Sequence, residues 1–272
     1  MVSSSEIQTQ SPRGRANGTI RSVDKVVDIL EVLSQESRGL ALGELAKRLD
    51  LNASTAHHLL ATLKARGLVA QDERTKTYRI GSGLVALVNR FLAGTDLYPA
   101  GLGPVEELRD VSGETSYLSV FQGGETVVMI ALTGLRPVQA RRLHRSGQTN
   151  LHSTASGKLL LAFQPPEQSL ALLSSLERPR FTPRTITDVN ELLTELESIR
   201  SQGYALDREE DYIGVQCIAA PVFNGNGECV AAVSVSYPAA PPERTSDLVP
   251  LVTEAGRRIS ANLGARGESL SA

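Results

Sequence analysis

Three short amphipathic segments followed by a strand–turn–strand pattern constrain the fold of the first eighty residues more than any other feature. From Ser22, which we expect to cap the first helix, apolar residues recur with helical spacing. Residues 42–49 and 53–66 repeat the pattern and are separated only by residues 50–52. Residues 68–80 then alternate around a charged centre, which is typical of a β-hairpin. This order predicts a winged helix-turn-helix whose third helix enters the major groove of double-stranded DNA.

The outward face of the third predicted helix carries the candidate DNA contacts. Short hydroxyl and amide side chains near a helix start can bond phosphates or base edges. The residues expected to do so are Asn52, Ser54, Thr55, His57 and His58. Arg74 and Lys76, at the tip of the hairpin, are expected to contact phosphates. The alternative for the two histidines is that they are simply exposed polar residues.

The charge distribution separates this front segment from the rest of the chain. Residues 1–82 carry 12 Lys and Arg against 9 Asp and Glu, whereas residues 83–272 carry 16 against 21. A mildly basic head on an acidic body fits a nucleic-acid-binding domain joined to a different kind of domain. Residues 1–19 are expected to form a disordered arm and 266–272 a tail. Residues 83–97 predict a linker helix that packs on a partner subunit, or alternatively a simple core helix.

Beyond residue 97 helical and strand-like segments alternate irregularly. Residues 116–122 and 125–133 predict a hairpin of high β-propensity, and Asn224-Gly225-Asn226-Gly227 predicts a second hairpin turn. A helix over 245–263 is expected to end the domain. The pattern predicts an α+β domain with a largely antiparallel sheet over residues 98–265.

Three stretches together resemble the IclR family of bacterial transcriptional regulators. They are the front domain with VDKVVDILEVL, LGELAKRLDLNASTAHHLLATLKARGLV and YRIG, then LHSTASGKLLLA at 151–162, and GYALDREEDYIGVQCIAAPVFNGNGECVAAVSVS at 203–236. The resemblance implies a DNA-binding domain over 20–82 and a GAF/profilin-like C-terminal α/β effector-binding domain. It also implies a homodimer or homotetramer and a repressor controlled by a small molecule. One departure is His58, which stands where the family pattern has Arg.

The resemblance also places an effector site. The segment 152–158 opens a helix whose free N–H groups form an anion site, and the family binds organic acids or aromatic compounds between this helix start and the last strands. Carried over by position, the effector-binding residues are Ala155, Ser156, Asp207, Cys217, Ser234 and Ser236. Ser234 and Ser236 are two apart on a strand and therefore face the same side. An ionised Asp207 would repel a carboxylate, so it is expected to bond a hydroxyl or to be protonated.

Two further groups are candidates for the surroundings of this site. An apolar wall is expected from Leu135, Val138, Leu143 and Leu151. A basic cluster either attracts an acidic effector or is solvated: Arg141, Arg142, His144 and Arg145. No metal site or cofactor is expected, because His144, His152 and Cys217 lack the close spacing of a ligand pair.

Composition and motifs exclude several classes. Two cysteines cannot form a disulfide framework, the N-terminus has no apolar signal core, and no apolar run reaches the roughly 20 residues that span a bilayer. We therefore expect a cytoplasmic protein without a membrane partner.

The sequence leaves three functional hypotheses. The leading one is a ligand-controlled transcription factor, in which the effector shifts the spacing of the DNA-reading heads. The rival is an enzyme that uses Cys217, His152 and Asp207 as nucleophile, base and orienting group. No G-x-S-x-G elbow is present and the S-x-x-K spacing fails, so no enzymatic activity is expected. The third is an architectural DNA binder without a ligand.

Overall fold

The chain divides into two units between Gly94 and Thr95. The computed structural model describes residues 20–135, 150–239 and 242–265. Several sequence predictions lie outside these ranges, namely those for the arm, the tail, Val138, Leu143 and the basic cluster over 141–145.

The first unit is a winged helix-turn-helix. Its elements are α1 (Arg21–Ser34), β1 (Leu40–Ala41), α2 (Leu42–Arg48), α3 (Ala53–Ala65), β2 (Val69–Gln71), β3 (Thr77–Ile80) and α4 (Ser82–Ala93). The three strands form an antiparallel sheet in the order β1-β3-β2. The predicted helices and hairpin are confirmed, whereas the two-residue strand β1 has no sequence signal of its own.

Side chains from α1, α2, α3 and the hairpin meet in one core. Ile29 of α1, Leu45 of α2 and Leu60 of α3 have no exposed surface, and Val69 and Tyr78 of the hairpin pack against them. Burying a large aliphatic side chain contributes about 1.5–3 kcal/mol, so these contacts fix the angle between α2 and α3. The outer face of α3 is thereby held away from the core.

Two local predictions in this region are wrong. Helix α1 begins at Arg21, and its N-cap is Ile20, which makes no side-chain capping bond; Ser22 lies inside the first turn. The single helix predicted over 83–97 ends instead at Ala93. The Gly94 N–H bonds the carbonyls of Arg90 and Phe91, which closes the helix before the next one begins at Leu97.

The second unit is α+β with one antiparallel sheet. Its elements are α5 (Leu97–Ser112), β4 (Thr115–Gln122), β5 (Glu125–Leu132), α6 (Ala155–Ala162), α7 (Pro166–Ser175), α8 (Val189–Gln202), β6 (Ala205–Arg208), β7 (Val215–Phe223), β8 (Cys229–Pro238) and α9 (Pro242–Asn262). The strand order is β5-β4-β8-β7-β6. Pro166 occupies the first turn of α7, where its missing N–H costs nothing.

Helices cover both faces of this sheet. One core lies between the sheet and helices α5 and α9, and a second lies between the opposite face and helices α6 to α8. Alternation along β8 assigns Val233 and Val235 to the first core and Ala232 to the second. Ser234 and Ser236 therefore lie on the α6 side, beside the start of that helix.

Candidate functional site

The outer surface of α3 presents three of the predicted DNA contacts together. Ser54, His57 and His58 are exposed, and their spacing of three and four residues places them on one helix face. The two imidazole rings touch edge to face, with centroids 5.9 Å apart. Thr55 is half-buried. This face offers a hydroxyl and two imidazoles to whatever approaches the helix.

Asn52 has a structural role that the sequence reading did not assign. Its Oδ1 accepts a hydrogen bond from the backbone N–H of Thr55 at 2.7 Å, so Asn52 is the N-cap of α3. A capping Asn stabilises a helix by about 1 kcal/mol relative to Ala. Replacing it would therefore perturb the helix start as well as any contact with DNA.

The wing tip is an ordered turn of mixed charge. Asp72 Oδ1 accepts the backbone N–H groups of Arg74 at 2.9 Å and Thr75 at 2.8 Å, and these bonds, that of Thr75 first, lower the pKa of Asp72. Arg74 and Lys76 are both exposed. The Nζ of Lys76 lies 3.2 Å from Glu73 Oε2, so this carboxylate competes with a phosphate for Lys76.

A cavity opens on the α6 face of the C-terminal sheet. Its empty volume is about 640 Å³, part of which is open to solvent. It is lined by Tyr117, Ser119, Thr126, Val128, Asn150, Thr154, Ala155, Ser156, Asp207, Asp211, Tyr212, Val215, Cys217, Ser234 and Ser236. All six residues that the sequence predicted for an effector site are among them.

The first turn of α6 provides backbone donors at this cavity. The Thr154 side chain is the N-cap and accepts the Gly157 N–H at 3.1 Å. The N–H groups of Ala155 and Ser156 belong to the orphan donors of a helix start, where the helix dipole favours an anion. Ser156 Oγ donates to Ser234 Oγ at 3.1 Å and ties the helix start to β8.

The floor of the cavity contains a row of groups that are wholly or partly protonated near neutral pH. Asp207, Cys217 and Ser236 are register partners on β6, β7 and β8, and Cys217 Sγ lies 3.2 Å from Ser236 Oγ. Burial raises the pKa of Asp207 to about 7 and that of the Cys217 thiol well above its ordinary value. Burial likewise raises the pKa of Tyr117 to about 12. Apart from Asp207, this row is uncharged at neutral pH and can both donate and accept hydrogen bonds.

A buried ion cluster fixes one wall of the cavity. Lys158 of α6 has no exposed surface, and its Nζ lies 2.7 Å and 2.8 Å from the Glu210 carboxylate oxygens and 3.0 Å from Glu195 Oε1. Next to it, Ser153 Oγ donates to Asp211 Oδ1 at 2.9 Å. These bonds hold the segment that follows β6 against α6, and so place Asp211 and Tyr212 at the cavity.

Two family profiles match this chain. The IclR helix-turn-helix domain matches residues 22–73, and the C-terminal domain of the bacterial transcriptional regulator IclR matches residues 90–261. The chain belongs to the IclR family. It is a DNA-binding transcriptional regulator.

Relatives of this IclR-family regulator match along nearly the whole chain. It is 34% identical over 267 residues to the HTH-type transcriptional regulator BhcR of Paracoccus denitrificans, covering 95% of each chain. It is 30% identical to the HTH-type transcriptional repressor AllR of Klebsiella pneumoniae, with 92% of each chain covered. The crystal structure of Thermotoga maritima IclR is similar with a TM-score of 0.75 and 30% identity, covering 90% of this chain and 99% of that one.

The cavity wall of this IclR-family regulator differs from the predicted apolar wall. Leu135 is 90% exposed and Leu151 is buried in the core beneath α6, so neither lines the cavity. The sequence reading missed the contribution of β4 and β5, namely Tyr117, Ser119, Thr126 and Val128. The sequence shows that these residues alternate on each strand, but it does not show that Tyr117 pairs with Ser234 across β4 and β8.

Cys217, His152 and Asp207, the candidate nucleophile, base and orienting group of an enzyme, do not all come together in the structure. His152 is buried away from the cavity, where its Nε2 lies 3.1 Å from the Pro179 carbonyl oxygen and its ring packs on Phe181.

Within the described ranges no three His, Cys, Asp or Glu side chains are arranged to hold a metal ion. In the same part of the chain, no helix is long and apolar enough to cross a membrane.

Proposed function

We propose that the cavity at the start of α6 is the effector site and that it takes a small organic acid. The observation that carries this proposal is the meeting of the six sequence-predicted residues, Ala155, Ser156, Asp207, Cys217, Ser234 and Ser236, around one cavity. The N–H groups of Ala155 and Ser156 bind the carboxylate, and the hydroxyls of Ser234 and Ser236 bind its polar substituents. No Lys or Arg is among the described lining residues, so backbone donors bind the anion.

The DNA interface of this proposal combines α3 and the wing. Ser54, His57 and His58 read base edges in the major groove, because they form the exposed face of the helix. The phosphate backbone is contacted by Asn52, Thr55, Arg74 and Lys76. These contacts position the protein without reading sequence.

The regulator acts as a cytoplasmic homodimer or homotetramer that represses transcription until the effector binds. Exposed apolar side chains on α4, namely Val85, Val88 and Phe91, support packing of this linker helix on a partner subunit. The relative AllR is a transcriptional repressor, which supports the direction of regulation. Effector binding shifts the population of dimer conformations and so changes the affinity for the operator.

The C-terminal unit is a sensor and not a catalyst. A nucleophilic cysteine needs a depressed pKa, whereas burial raises the pKa of the Cys217 thiol. The imidazole of His152 is bonded to the Pro179 carbonyl and lies outside the cavity lining. Both observations support binding without turnover.

The test is DNA release by small acids, measured by fluorescence anisotropy with the DNA upstream of the protein's own gene. We expect at least one acid of an aliphatic, hydroxylated and aromatic panel to weaken operator binding tenfold or more. Ser156→Asp places a negative charge at the helix start and should abolish this response while leaving DNA binding intact. Ser156→Asn is the neutral control of matched size and should retain it. An equal response in both variants contradicts the proposed anion site.

Asp207 makes effector affinity depend on pH. Its pKa lies at about 7, so above neutral pH it becomes an anion beside the bound carboxylate. If the acid binds only when Asp207 is protonated, its dissociation constant rises about tenfold between pH 6 and pH 8. Asp207→Asn removes the titration and should give a flat profile, which calorimetric titrations at four pH values would reveal. A wild-type slope in the variant would assign the pH dependence to another group.

The raised pKa of Asp207 also makes the folding stability of the protein depend on pH. Because the folded pKa of Asp207 lies above the unfolded value of 3.8, its contribution is fully present below pH 3.8. The contribution is lost as the pH rises to about 7, and stays lost above it. Folding stability and effector binding are therefore both favoured when Asp207 is protonated.

A further inference from the structure

An irregularity in the β4–β5 pairing extends the cavity beyond the effector residues described above. Leu118 pairs with Ile130, but the next residue of β4, Ser119, pairs with Val128, so Met129 has no partner. This β-bulge reverses the alternation of β5. Met129 and Ile130 both pack toward the α5–α9 core, while Thr126 and Val128 line the cavity on the opposite face.

The cavity floor consequently crosses all five strands of the sheet, from Asp207 on β6 to Thr126 on β5. Four spacings of about 4.8 Å separate the outer strands, which corresponds to about 19 Å. Such a floor exceeds what an acid of two or three carbons can contact. A ligand that uses both ends needs a longer chain.

The lining is rich in residues that carry a hydroxyl group. Eight of its fifteen described residues carry a hydroxyl, and only three are aliphatic: Val128, Ala155 and Val215. Pockets for aromatic or aliphatic ligands are lined mainly by apolar side chains. This lining instead matches a ligand that offers several hydroxyl groups.

Two hydroxyls in the cavity have no well-formed hydrogen bond within the described structure. The Tyr117 hydroxyl and Thr126 Oγ1 are both shielded from solvent and have no partner at hydrogen-bond geometry. Burial raises the pKa of Tyr117 and the neighbouring Ser236 hydroxyl opposes this rise, so Ser236 is a weak partner of Tyr117, short of a full hydrogen bond. Tyr117 as a whole is only 7% exposed. In contrast, the hydroxyls of Ser156 and Ser234 bond each other, and Ser236 bonds the Cys217 thiol. A buried hydroxyl without a full hydrogen bond is unfavourable, so a ligand that pairs Tyr117 and Thr126 gains affinity.

We propose that the effector is a polyhydroxylated carboxylic acid, with its carboxylate at the start of α6 and its hydroxyls paired with Tyr117 and Thr126. This inference rests on the proposed acid site and adds the chemical class of the ligand. The carboxylate binds the N–H groups of Ala155 and Ser156. The carbon chain then runs over β8 and β4 toward β5, where Thr126 binds the distal hydroxyl.

The test is calorimetric titration of the full chain with carbon-matched probes. Gluconate has both the carboxylate and the hydroxyls, hexanoate has only the carboxylate, and glucitol has only the hydroxyls. We expect gluconate, or its stereoisomer galactonate, to bind at least tenfold more tightly than hexanoate or glucitol. Hexanoate or benzoate binding as tightly as both hydroxylated acids overturns the hydroxyl class but leaves the acid site standing. Failure of every acid overturns the acid site as well.

Matched variants locate the distal contact. Thr126→Val keeps the shape and removes the hydroxyl, whereas Thr126→Ser keeps the hydroxyl. The first should weaken binding of the preferred hydroxylated acid about threefold to tenfold, and the second should not. Tyr117→Phe tests the central contact in the same way. Hexanoate affinity should stay unchanged and the unfolding temperature should not fall, which separates ligand pairing from a structural role. Equal affinity for the hydroxylated acid in wild type, Thr126→Val and Tyr117→Phe overturns the proposal.

Discussion

Replacing Lys158 by Met is expected to destabilise the C-terminal unit by about 3–5 kcal/mol, the range for breaking a buried ion pair from one side. Lys158 has no exposed surface, and the Glu210 side chain that it binds is 4% exposed. Without the ammonium group, the Glu210 carboxylate would be buried and uncompensated. For a unit of this size the unfolding temperature should fall by roughly 6–20 °C, as measured by differential scanning calorimetry.

Two further variants separate this effect from other causes. Arg257→Met breaks an ion pair on the surface, where the Arg257 and Glu254 side chains are 57% and 50% exposed, and should leave the free energy of unfolding almost unchanged. Adding Glu210→Gln to Lys158→Met removes the more deeply buried of the two carboxylates that Lys158 pairs with, and should recover much of the loss. If the double variant is no more stable than Lys158→Met, the loss comes from packing and not from an unpaired carboxylate.

The ion cluster around Lys158 shows why the sequence predicted residues that line the cavity but not the ion pairs that hold them in place. The helix start at Ala155 and the serine spacing on β8 are local patterns, and local patterns are readable in one sequence. The partners of Lys158 lie 37 and 52 residues further along the chain. Only the fold brings Glu195 and Glu210 to α6, so no spacing rule identifies them.

Strand register is the second feature that the sequence could not provide. Regular alternation back from Ile130, which faces the α5–α9 core, assigns Val128 and Thr126 to that same core. The unpaired Met129 reverses this assignment and turns both residues toward the cavity. A bulge depends on how two strands pair, and one strand's sequence does not determine it. In the winged domain, by contrast, helix α3 (Ala53–Ala65) is specified by its own cap, Asn52, and by a leucine stripe, and its predicted bounds were correct to one residue.

The double variant His57→Ala/His58→Ala is expected to weaken specific operator binding by about 2–4 kcal/mol, or roughly 30- to 700-fold. Both imidazoles are exposed and touch each other, so their removal does not disturb the core of the winged domain. Alanine is also the best helix former, and α3 should remain intact. Binding is measured by fluorescence anisotropy against the operator and against a scrambled duplex of the same length.

Comparison with Arg74→Ala distinguishes contacts with base edges from contacts with phosphates. Loss of a phosphate contact should weaken binding to operator and scrambled DNA alike and reduce the salt dependence by about one counterion. The histidine variant should instead reduce only the ratio between the two duplexes, and its salt dependence should stay as in the wild type. Because Lys76 already has Glu73 as a partner at 3.2 Å, Lys76→Ala should change the salt dependence less than Arg74→Ala. If the histidine variant lowers both affinities equally, α3 does not read bases through His57 and His58, and sequence recognition must come from Ser54 or from the shape of the DNA.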